Sequence, residues 1–171
     1  MSSAPPLLPD ETLARVLNRA RLNGTWVMVM GSTFGLIGAA GGEVPSALAW
    51  LLVAGTGAMA LHGATLLNEG ESRGLNWLVG GQLFCMAFIL ALCAWQLTHV
   101  DLTPLRAAVT ADIRASLKET GLTEEEFLLL SYRLTYGIAA LIAILYPGTM
   151  ALYYHRRRAA IDSAFEVASD E

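Results

Sequence analysis

Arg133 is the side chain whose position most needs a reason. It stands in a long apolar run, with Leu129, Leu130, Tyr136 and Gly137 one turn away on either side. An arginine at the bilayer centre costs about 2.5–3.5 kcal/mol on insertion scales, and less near the interface. No carboxylate on its own helix can offset that cost. Three roles stay open. The stem can snorkel so that the guanidinium reaches headgroups, the charge can pair with Glu43 or Asp101 from other segments, or it can hold an anion or substrate.

Gln82, Cys85, Ile89, Cys93 and Gln96 recur at spacings of 3, 4, 4 and 3 and so share one helical face. Amides turned to lipid would cost free energy, so this face is expected to point inward. Cys85 and Cys93 lie roughly 12 Å apart on one helix at 1.5 Å per residue, too far for a disulfide between them. They read as small packing residues.

The histidines His62, His99 and His155 raise the question of haem. Only His62 and His155 fall toward the same membrane face, and His155 adjoins three arginines, which places it among headgroups. Haem ligation is therefore not expected, and His62 reads as a packing or interfacial residue. There is no Ser-His-Asp set, phosphate loop, HExxH or pair of intramembrane carboxylates. No catalytic, cofactor-binding or metal-ligating residue is assigned, and no cofactor is implied.

The elements that would position these groups follow from hydropathy. The chain of 171 residues is 54% hydrophobic and only 15% charged, against about a quarter charged in soluble domains. Four apolar segments, at about 24–41, 47–67, 75–98 and 127–154, are each near the ~20 residues that cross a bilayer. The fold class is thus all-α: an integral membrane four-helix bundle over residues 24–158. No basic face or nucleic-acid module is present, so nucleic acid is not an expected partner.

Residues 1–9 hold three prolines and two serines and are expected to be disordered. Leu13, Val16, Leu17 and Ala20 mark one apolar stripe of a juxtamembrane helix over 10–22. It would lie on the bilayer surface or fold against the bundle. That stretch is long for a signal-peptide n-region, so the first apolar segment is read as a retained span. Gly31 and Gly35 form a GxxxG and Gly38 extends it. Such a face lets another backbone approach closely, within the chain or in a second copy. Trp77 and Trp95 sit near the two ends of segment three, as interfacial anchors do.

Thr103 followed by Pro104 predicts the start of a surface helix over 103–120, with Gly121 as its terminator. Thr123 with Glu126 is a capping box for the last long helix. Arg133, Gly137, Ala140, Ile144, Pro147, Ala151 and Tyr154 follow steps of 4 and 3 along that helix and read as one packing seam. Pro147 predicts a kink, because proline cannot donate to the carbonyl of Ala143. The acidic tail, 159–171, is expected to fray.

Arginines flank the first segment (Arg15, Arg19, Arg21), the turn after the second (Arg73) and the end of the last (Arg156, Arg157, Arg158). The turn after segment one has none. By the positive-inside rule both termini are cytoplasmic in a multi-pass protein of the cell membrane. The function favoured is a non-catalytic structural or interaction module packing through glycine-rich helix faces. Its partners would be the lipid bilayer and, through those faces, a homo-oligomer. The alternatives are a subunit of an oligomeric pore or permeation pathway, motivated by the polar face of segment three and Arg133, and a membrane redox or enzyme subunit.

Overall fold

The computed structural model describes residues 9–169, and all its regular structure there is helical. Apart from Pro9, the stretch expected to be disordered lies outside the described residues, as do the last two residues of the tail. In chain order the elements are α1 (Pro9–Ala40), α2 (Val44–Asn68), α3 (Gly74–Thr98), α4 (Thr103–Ala107), α5 (Ala111–Thr120), α6 (Glu124–Arg156) and α7 (Arg158–Ser169). Among the described residues, three helical stretches are long and apolar enough to cross a membrane: Val44–Asn68, Gly74–Thr98 and Glu124–Glu166. Their most apolar windows are only 28%, 28% and 17% buried. A soluble core helix would hide such residues, so this surface suits lipid contact.

The chain forms two compact units, one of residues up to Cys85 with those from Pro147 onward, the other Met86–Tyr146. In the first, α1 and α2 pack as an antiparallel pair. The chain reverses between them at Gly42, whose φ of 77° is a left-handed conformation that side chains disfavour. The Glu43 amide then donates back to the Gly38 carbonyl at 2.9 Å. Gly70 (φ 81°) serves the same purpose in the turn from α2 to α3. The core joins both halves of the sequence: Val16, Ala20, Ala60, Ala64, Leu67, Leu75, Leu78, Tyr154 and Ile161 form one buried cluster.

In the second unit, Cys93, Leu117, Leu128, Tyr132 and Ala143 are buried. The entry turn of α6 has the expected reciprocal geometry. The Glu126 amide donates to Thr123 Oγ1 at 3.2 Å, and the Thr123 amide donates to Glu126 Oε2 at 3.0 Å.

Four expectations are corrected. The juxtamembrane helix and the first apolar segment are one continuous helix, because a glycine weakens a helix interior by about 1 kcal/mol without ending it, and Gly24 faces the Gly57 carbonyl. The surface helix over 103–120 is divided: Thr110 turns extended and caps α5, its Oγ1 accepting from the Ile113 amide at 3.4 Å. Thr103 is not a cap either; the Asp101 carboxylate accepts its amide at 2.9 Å. The tail from Ala159 does not fray within the described residues. It forms α7, which packs on α1 and buries Ile161 and Ala164.

The seam along α6 is the fourth correction. Tyr154, Ala151 and Pro147 are buried, but Ile144, Gly137 and Arg133 are exposed. The buried line continues instead through Ala143, Tyr132 and Leu128. Steps of 4 and 3 average 3.5 residues, whereas a straight helix turns in 3.6. The error grows by about 20° per heptad and moves the expected face off the true one. The helix itself is unbroken through Pro147.

Candidate functional site

The polar face of α3 is turned into the protein. Gln82 is 5% exposed, Cys85 7% and Cys93 4%. In the first unit Thr56 is also buried, and its hydroxyl donates to the Val53 carbonyl at 2.7 Å.

In the second unit Gln96 meets Tyr132, whose hydroxyl lies 3.1 Å from the Gln96 carbonyl oxygen and 2.9 Å from its Oε1. The carbonyls in the last turn of a helix lack intrahelical partners, and Tyr132 supplies one near the end of α3. It was missed in the sequence, where the cue was a tyrosine hydroxyl inside an apolar run. Tyr132→Phe should destabilise the protein by about 1 kcal/mol, the scale of interhelical hydrogen bonds in membranes. Chemical or thermal unfolding in detergent checks this.

Arg133 is exposed on α6, beside Leu134 and Leu130 at about 60% exposure each. The ion pairs among the described residues are Arg73 with Glu71, and Arg114 with Glu124 at 3.2 Å; Arg133 is in neither. Glu43 is exposed at the α1–α2 turn and caps α2 with no side-chain hydrogen bond. Asp101 is exposed, and the amide and hydroxyl of Thr103 hold its carboxyl below the usual carboxylate range. Arg133→Gln is therefore expected to change stability by less than about 0.5 kcal/mol, the range for surface substitutions away from such networks. Folded yield and unfolding midpoint measure it.

His62 is exposed, its ring edge-on to Trp77 at 5.0 Å between centroids. His99 stacks on Trp95 at 3.9 Å, and its Nδ1 lies 2.9 Å from the Thr98 hydroxyl. No group of three His, Cys, Asp or Glu among the described residues could hold a metal ion. In the second unit an open cleft of about 370 Å³ is lined by Val100, Leu102, Thr103, Arg106, Glu125 and Leu129. It offers one cation and one carboxylate and no nucleophile activated by a base.

The glycines are what the fold uses most closely. A Cβ on Gly31 would lie 2.6 Å from the Ala54 nitrogen, and one on Gly38 would lie 3.1 Å from the Ala47 nitrogen. At Gly35 the nearest atoms are those of the Leu51 side chain, at 3.2 Å. Gly137 is different: a Cβ there meets nothing within 4 Å, which corrects its reading as a packing position. No family model, curated protein or solved structure matches this chain.

Proposed function

We propose that the chain is a four-span protein of the cell membrane with both termini cytoplasmic, acting as a non-catalytic structural or interaction module. The observation that carries the reading is the glycine seam between α1 and α2. From Gly24 to Gly38, α1 lies against α2 from Leu61 back to Ala47. That is about 21 Å of shared axis at 1.5 Å per residue, most of a ~30 Å hydrocarbon core.

The second half of α1 is diluted by glycine, serine and threonine, yet it presents Trp26, Leu36 and Ile37 at 60–69% exposure on its open side. A helix zipped to α2 over that length crosses with it. Close backbone approach through glycine is how helices associate in lipid, where burial of apolar surface gives no net drive. The pore reading is weakened by the inward burial of Gln82, Cys85 and Cys93 and by the Gln96–Tyr132 contact, which take the polar face out of any conduction path.

The test uses two tagged forms of the protein, one with an epitope inserted between α4 and α5, at residues 108–110, the other with the same epitope at the C-terminus. In intact cells the first is expected to bind antibody from outside, and the second only after permeabilisation. The reverse pattern, or access to both tags, would overturn the topology.

A further inference from the structure

The first unit gathers arginines that carboxylates do not neutralise. Arg19 Cζ lies 4.7 Å from the Tyr153 ring centroid, and Arg157 Cζ lies 5.7 Å from the same centroid. Arg21 donates to the Asn68 side-chain oxygen at 3.2 Å, and Arg158 to that of Asn76 at 2.9 Å. Both acceptors are neutral amides. Glu11, Glu69, Glu71, Asp162 and Glu166 belong to the same elements and their connecting turn. Among the described residues, however, none of these four arginines has a carboxylate within 4 Å.

Two guanidiniums held over one ring repel each other. The ring face attracts each of them only weakly at an exposed site. An anion beside these guanidiniums would offset that uncompensated charge with charge-assisted, bidentate hydrogen bonds, and phosphate fits the guanidinium fork best.

We propose that Arg19 and Arg157, set over Tyr153 and flanked by Arg21 and Arg158, bind the phosphate of an anionic phospholipid headgroup. The neighbouring surface says why the anion is a lipid. Leu22 and Trp26, each 61% exposed, lie about one and two turns beyond Arg19 on α1, and Leu152, 48% exposed, adjoins Tyr153 on α6. A phosphate seated on the guanidiniums has its acyl chains laid along that apolar surface, which a soluble anion would leave uncovered. Basic sites at the ends of transmembrane helices recognise headgroups in this way. The proposal rests on the membrane reading above but not on its orientation.

The test uses the full chain in nanodiscs of phosphatidylcholine with graded dioleoylphosphatidylglycerol, followed by native mass spectrometry of retained lipid. The wild type is expected to retain phosphatidylglycerol over phosphatidylcholine. The Arg19→Gln/Arg157→Gln double variant should lose about 30-fold in that preference, while Arg106→Gln should lose nothing. A wild type with no preference, or a folded double variant with an unchanged one, overturns the proposal.

In a second arm, inorganic phosphate is titrated against chloride at equal ionic strength. Displacement of the lipid at millimolar phosphate assigns the site to a soluble anion and overturns the lipid assignment. If the double glutamine variant does not fold, Arg19→Lys/Arg157→Lys keeps the charge but loses the fork. It should show a partial loss, and full retention overturns the bidentate geometry. Nanodiscs have no inside, so failure here is separate from failure of the topology experiment.

Discussion

Gly31→Leu is expected to cost the protein most of its folded population. Any side chain at this position begins with a Cβ 2.6 Å from the Ala54 nitrogen and 2.9 Å from the Ala54 Cα and Cβ. Those atoms are the backbone and first carbon of α2, so no rotamer change relieves the overlap and the two helices must separate. Overpacking that forces side chains and backbone to shift costs about 1–3 kcal/mol, and more as the added volume grows. Gly31→Ala should fall in that range and Gly31→Leu beyond it. Gly35→Ala should be milder, because the atoms in the way belong to the flexible Leu51 side chain. Gly137→Ala supplies the control: it meets no neighbour and gains up to about 1 kcal/mol of helix propensity. Unfolding midpoints of the four variants in one detergent give the ranking. A Gly31→Ala variant as stable as Gly137→Ala would mean that α1 and α2 are not in contact.

Tyr154→Ala should be comparably damaging, by about 3–5 kcal/mol, the range for large buried aromatics. Tyr154 is fully buried and belongs to the cluster that holds α1, α2, α3, α6 and α7 together. Truncation leaves a cavity where five helices meet, and neighbours on separate helices collapse into it only in part. Leu130→Ala removes a side chain that is 60% exposed on the same helix, and a change of less than about 0.5 kcal/mol is expected. Unfolding midpoints measure both. Limited proteolysis should also show α7 cleaved in the Tyr154→Ala variant and protected in the wild type and in Leu130→Ala.

Much of this architecture could be read from local chemistry. The Thr123–Glu126 pair at the start of α6 and Gly121 at the end of α5 are signals carried by a few adjacent residues. They marked helix ends to within a few positions. The α3 face of Gln82, Cys85 and Cys93 was legible because burying an amide away from lipid leaves one choice of direction.

Other features depended on a partner the sequence does not name. Gly24 could end a helix or admit a neighbour, and only the approach of Gly57 decides between them. The tail from Ala159 was expected to fray because its partner is distant in sequence: Ile161 is buried in one cluster with Val16 and Ala20 of α1. A strict alternation of 4 and 3 drifts around a straight helix, and so Gly137 and Arg133 fall off the buried line that Tyr154, Ala151 and Pro147 share. Tyr132 was invisible as a hydrogen-bond donor because its acceptor lies on another helix.

The junction of α7 with α1 bears on how the protein is made. Val16 and Ala20 leave the ribosome long before Ile161, which shares their cluster. At 5–20 residues per second, on the order of ten seconds separates them. Through that interval the apolar stripe of α1 is without its final cover, and a chaperone or the translocation machinery has an opening to hold it. A nascent chain that ends before Ile161 therefore holds α1 against α2 and α3 but lacks the last apolar neighbour of Val16 and Ala20.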